Sequence, residues 1–150
     1  MNAAGWVKGF APPYYKHSLD AGGSIDEIQD EEVSMFEFFS GNYKWSYNTL
    51  LAVSGGGQLG DIARVVKSLQ DVPDDREWLA GWGGAADTAS NRAIASSSAR
   101  SAFEHHLLAS LYRVVSEHFV PPGDPLRLQT YRQALASFDA AREISPYPIE

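Results

Sequence analysis

The sequence predicts an all-α protein, about six helices in an irregular bundle. Three observations carry the prediction. Apolar residues recur at offsets of three and four through most of the chain. Helix-capping residues open these stretches, and glycines or prolines close them. Alternating, β-branched runs that would signal strands are sparse.

Residues 1–23 carry Pro12, Pro13, Gly22 and Gly23 without a sustained period and read as an irregular arm, with Trp6, Phe10, Tyr14 and Tyr15 available to pin it. Ser24 and Glu27 fit a capping box. The carboxylates Asp26, Glu27, Asp30, Glu31 and Glu32 suit the positive end of a helix that runs to Phe39 and stops at Gly41. A second helix spans about 44–54, with Tyr47, Leu50, Leu51 and Val53, and ends at Gly55–Gly57. A third, about 58–70, places Leu59, Ile62, Ala63, Val66 and Leu69 on one face before Val72-Pro73.

Asp74 caps a fourth helix, with Glu77 completing a D-x-x-E box and Trp78, Trp82, Ala85 and Ala89 as its stripe. Three serines, 96–98, mark a break or kink before a fifth helix over about 99–119. That helix is apolar nearly all round (Phe103, Leu107, Leu108, Leu111, Val114, Val115), which is the pattern of a central helix with several neighbours. After Pro121-Pro122-Gly123, Asp124 and Pro125 supply the N-cap and first position of a sixth helix, whose stripe is Leu128, Tyr131, Leu135 and Phe138. Pro146 and Pro148 forbid continuation past about Arg142, so residues 145–150 read as an extended end and 24–144 as the helical domain.

Composition narrows the function. Twelve Lys and Arg against 19 Asp and Glu leave a net charge of −7, which offers no basic patch for nucleic acid or for an anionic membrane surface. With no cysteine, disulfides, thiolate catalysis and cysteine-bound zinc are excluded. The N-terminal stretch lacks the apolar core of a secretory signal, and no run approaches 18 apolar residues, so the expected location is the cytoplasm.

Several patterns invite a chemical reading. Gly55, Gly57 and Gly60 fit G-x-G-x-x-G, but a dinucleotide site needs flanking parallel strands, and VPDDREWLAGWGG is no strand. A helix–helix turn is the better reading, and no cofactor is expected. Ser54, in A-V-S-G-G, lacks the first glycine of a nucleophile elbow. His105 and His106 are adjacent and diverge by about 100°, so they cannot chelate one ion together, and no metal is expected. The acidic run 26–32 lacks calcium-loop spacing and reads as a solvated face.

Three stretches in order, DDREWLAGWGGAADTA (74–89), SARSAFEHHLLASLYRVVSEHFV (98–120) and DPLRLQTYRQALASF (124–138), resemble the N-terminal helical cap region of an α/β-hydrolase subfamily. It is that of 2,6-dihydroxypseudooxynicotine hydrolase and of the fungal pigment-pathway hydrolases that shorten polyketide chains. The resemblance rests on a paired-Trp helix, then the L-x-A-S-x-Y-x-x-x-x-E pattern at Leu107, Ala109, Ser110, Tyr112 and Glu117, then Asp124-Pro125 with Thr130, Tyr131, Arg132 and Phe138. FEFFSGNYKWSYNTLLAVSGGGQLGDIARVV (36–66) is similar to the fungal members as well. The paired His105-His106 and Leu111 depart from that pattern.

The resemblance implies a lid-like helical layer that excludes water and helps select an extended ketone or polyketide-like substrate, for cleavage of a carbon–carbon or ester bond. It implies a partner, the catalytic half carrying Ser, Asp and His, and the chain ends at SPYPIE where that half would begin. No catalytic residue therefore carries over. Trp82, Phe103, His106 and Tyr112 are the expected substrate wall, although each also suits a core position. A face meant for the catalytic half would be apolar and prone to homo-oligomerise. Two other readings stand beside it: a free-standing helical binding protein, whose surface would be polar and which would be monomeric, and a small helical cyclase or dehydratase using His106 with Glu104 or Glu117.

Overall fold

Trp45, Trp78, Trp82 and Tyr112 have essentially no exposed surface, and the fold is organised around them. The computed structural model describes residues 37–71 and 74–147. Among these there are five helices and no strand: α1 (Tyr43–Ser54), α2 (Leu59–Leu69), α3 (Asp75–Ala95), α4 (Ala99–Glu117) and α5 (Pro125–Glu143). All five lie in the compact unit Ser34–Glu150. None is long and apolar enough to cross a membrane. The arm 1–23, the capping box at Ser24 and Glu27, the acidic run 26–32 and the tail 148–150 lie outside the described residues.

Helix starts follow local chemistry. Asn42, Asp74, Ser98 and Asp124 each accept a bond from the backbone N–H of the opening turn of α1, α3, α4 and α5. Pro125 sits at the first position of α5, where its missing N–H costs nothing. Gly56 and Gly123, with φ of 93° and 91°, allow the reversals before α2 and α5. The three serines make a full break, since α3 ends at Ala95 and Ser98 caps α4.

One expected element does not reach the end that its pattern suggested. The helix drawn through to Phe39 is not helical over residues 37–39. The Phe39 N–H donates to Ser46 Oγ (3.0 Å) and its carbonyl accepts from the same hydroxyl (3.2 Å), so its backbone is bonded forward onto α1. That places the Phe39 ring edge-on to Trp45, 5.2 Å between centroids.

The apolar-all-round helix is indeed central: α4 packs against α1, α3 and α5, while α2 packs against α1 and α3. The core is a chain of rings. Trp45 to Trp78 is 5.2 Å, Trp78 to Trp82 5.5 Å, Trp82 to Tyr112 5.7 Å, and Phe119 closes on Trp78 at 5.1 Å. Tilted and edge-on pairs of this kind contribute about 0.5–1.5 kcal/mol each beyond area burial. Buried Gly83, Ala86, Ala89 and Ala93 on α3 and Ala109 on α4 keep backbones close on either side of the rings.

Two apolar stripes, on α1 and α5, are rotated from the expected face, and the one on α2 is kept in part. On α1 the buried residues are Trp45, Ser46, Thr49 and Ala52, while Tyr47 and Leu51 are exposed. On α2, the expected Ile62 and Leu69 are buried, joined by Asp61 and Val65, Val66 packs partly buried against the core, and Leu59 is exposed. On α5, Thr130, Ala134 and Ala141 are buried and the whole Leu128–Tyr131–Leu135–Phe138 stripe faces out. In each case a smaller or polar residue has a specific partner or permits closer approach, which outweighs burial of the larger side chain.

Candidate functional site

The described residues contain one buried polar centre that joins three helices. Asp61 lies in the first turn of α2 and is only 5% exposed. Arg92 of α3 sets Nη1 3.0 and 3.1 Å from its two carboxylate oxygens, and Arg64 on the next turn of α2 bonds Oδ1. From α4, the Tyr112 hydroxyl donates to Asp61 Oδ2 at 3.4 Å and accepts the Gln58 N–H at 2.9 Å. Gln58 is the N-cap of α2 and offers no side-chain cap of its own. Tyr112 thus satisfies an N–H at the start of α2.

Burial pushes the Tyr112 phenol up to about 12, and the nearby Asp61 charge pushes the same way against the bond from Gln58. The phenol is therefore protonated at any physiological pH, and its O–H is engaged as a hydrogen-bond partner between Asp61 and the start of α2. Asp61 is similarly committed, its oxygens divided among two guanidinium groups and the phenol. A cleft of about 220 Å³ between α2 and α3 opens beside it, with Gly81, Gly84 and Thr88 as its far wall. Chemically this is a clamp holding α2 to α3 and α4.

The four expected wall residues fall into two pairs. Trp82 and Tyr112 meet inside the core, both fully buried. Phe103 and His106 are half-buried on α4. Counting along the helix, Phe103 stands about 180° and His106 about 120° round from Tyr112. They share the side of Glu117, whose Oε2 accepts from Arg127 Nε of α5 at 2.8 Å. One continuous wall from all four is thus not formed. The Trp82 Nε1, buried without a partner, is spent among rings.

The acid–base pairs of a small helical enzyme are not assembled either. His106 and Glu117 share a face but lie about 16 Å apart along α4. Glu104 is two residues from His106, on a different side, and pairs with Arg100 at 3.2 Å. Ser54 ends α1 with its hydroxyl bonded to the Leu51 carbonyl (3.1 Å). Gly55 and Gly57 turn the chain between two helices, and Gly60 lies inside α2. Among the described residues no three of His, Asp and Glu converge to hold a metal ion.

What pattern reading missed is the apolar surface left bare. On α1, Tyr43 is 81% exposed and its ring stacks on Tyr47 (6.1 Å, 20°), with Leu51 one turn further along the same side. On α5, the four stripe residues are 41–52% exposed, and a groove of about 430 Å³ runs past Leu128 and Tyr131 over the Glu117–Arg127 pair. The signal available in sequence was the small-residue set Thr130, Ala134 and Ala141, which competes with the large stripe for the inward face. Compared with known proteins, the chain matches no family model, no curated protein and no solved structure.

Proposed function

We propose that the helical unit is the cap of a cytoplasmic α/β-hydrolase-type enzyme. On this reading it covers a catalytic domain and helps shape a pocket for carbon–carbon or ester cleavage of a ketone or polyketide-like substrate. The observation that carries the reading is the bare aromatic face of α1, Tyr43 stacked on Tyr47 and followed by Leu51. A free-standing helical protein gains solubility from polar residues at such positions. A face of exposed rings at helical spacing is instead the composition of a docking surface, where rigid aromatic groups lose little entropy on burial.

The division of labour follows. The serine acyl-enzyme and the oxyanion hole belong to the catalytic half. This chain contributes a rigid, water-excluding lid whose shape is fixed by the tryptophan core and by the Asp61 clamp. Its substrate-facing candidates narrow to Phe103 and His106, because Trp82 and Tyr112 are occupied in the core.

The test is isolation of the chain from its source cells under native conditions. A domain with a G-x-S-x-G elbow, on the same polypeptide or on a stoichiometric partner, is the expected companion. Where the partner is a separate chain, Tyr43→Ser with Tyr47→Ser should release it while the helical circular dichroism stays unchanged. Finding no such domain in either form would overturn the proposal.

A further inference from the structure

Helix α5 packs on α4 with its small side chains, and its large ones are left bare. Thr130, Ala134 and Ala141 are buried, and Arg127 bonds Glu117 across the joint. One residue on, about 100° round the helix, stand Tyr131 and Leu135, and Leu128 and Phe138 complete the exposed stripe. Its spacing of three, four and three is that of the a and d positions of a heptad, a seam shaped to receive another helix. We infer that this seam receives α5 of a second copy of the chain, antiparallel about a two-fold axis.

Charge identifies the occupant and sets the register. Arg132 and Asp139 are both exposed and lie one heptad apart at the e position, on the edge of the seam away from α4. In an antiparallel pair each e edge faces the other. When Leu135 packs against Phe138 of the second copy, each Arg132 meets the other copy's Asp139, whose carboxylate also faces Arg142 of its own helix at 3.4 Å, so each Asp139 is shared between two guanidinium groups. Sliding by one heptad either way sets Arg132 against Arg132 or Asp139 against Asp139. The favoured register also lays each Tyr131 ring beside Arg142 of the other copy, a cation–π arrangement.

The wider charge distribution points the same way. The chain carries −7 in all, yet α5 holds Arg127, Arg132 and Arg142 against Asp139 and Glu143, so this helix does not share the net negative charge that would hold two copies apart. The half-exposed seam side chains offer roughly 100 Å² each, roughly 800 Å² over both copies. The flanking charged residues bring the total to roughly 1,200 Å², the lower bound for a specific interface. An interface at that lower bound suits a reversible dimer. It uses a different helix from the docking face on α1 and stands independently of the cap reading.

Sedimentation equilibrium of the 150-residue chain over a wide concentration range tests this. The expected mass rises from 16.4 kDa to a plateau at twice that value. Arg132→Asp and Asp139→Arg should each weaken dimerisation roughly tenfold, and the double charge swap should return it to within roughly threefold of the parent. Phe138→Glu should leave a monomer of unchanged helicity, with Leu135→Glu as the second probe should the first not fold. A monomer at every concentration, growth past the dimer, or a double swap no stronger than the single variants would each overturn the inference.

Discussion

Trp78 Nε1 donates a 2.8 Å hydrogen bond to the Val115 carbonyl, tying the middle of the ring chain on α3 to the end of α4. Val115 lies in the last turn of α4, whose carbonyls lack full intrahelical partners. The indole therefore fills the core and closes a helix end at once. Replacing Trp78 with Phe keeps an aromatic ring but removes the donor and leaves a gap. A loss of about 1–3 kcal/mol in urea unfolding is expected. A change under about 0.5 kcal/mol would show that the bond is immaterial.

The Asp61 clamp predicts a second loss. Asp61→Asn removes the charge that faces Arg64 and Arg92 while keeping the shape. Both guanidinium groups reach solvent, so the cost is discounted from that of a fully buried pair to about 1–3 kcal/mol. Hydrogen exchange should rise first in α2, the helix that the clamp retains.

Tyr112 gives stability a pH dependence of definite sign. Its phenol ionises near 10 when unfolded and at about 12 when folded, so above pH 10 the unfolded state releases its proton first. The stabilisation is complete below about pH 10 and declines toward about pH 12, by about 3 kcal/mol at most. Urea titrations across that window should show the decline, and Tyr112→Phe should remove it. Tyr112 should give a late phenolate signal in ultraviolet difference absorbance, absent from Tyr112→Phe.

Two glycines predict opposite outcomes. A Cβ on Gly57 would stand 2.6 Å from the Ala52 carbonyl oxygen and 3.0 Å from Ile62 Cδ1, and the backbone atom cannot give way. Gly57→Ala should destabilise by about 1–3 kcal/mol. Gly84, inside α3, has nothing within 4 Å of the same position. Gly84→Ala should stabilise by about 0.5–1 kcal/mol through helix propensity. Thermal melts of both variants distinguish turn packing from general tolerance.

Helix starts at Asp74 and Asp124 were the most legible feature, because these residues act on the N–H groups of their own first turns and need no distant partner. The centrality of α4 was legible too, since a helix apolar on every side has to be surrounded. Facing was not. Periodicity locates a stripe on α5 but cannot rank it against Thr130, Ala134 and Ala141, whose value lies in how closely α4 can approach. The Asp61 centre was hidden because Arg92 is 31 residues away and Tyr112 is 51 away, and neither spacing carries a local signal. Among the expected wall residues, the adjacency of Trp82 and Tyr112 depends on how α3 crosses α4, which the sequence pattern does not encode.

The proposed cap role is tested most directly by a serine-reactive fluorophosphonate probe. It is applied in parallel to the isolated 150-residue chain and to the native complex or longer polypeptide recovered with an antibody against residues 98–120. The isolated chain should remain unlabelled, and the native species should label on a serine outside these 150 residues, in a domain that binds the cap. An unlabelled native species, or one whose mass is that of this chain alone, would contradict a hydrolase cap.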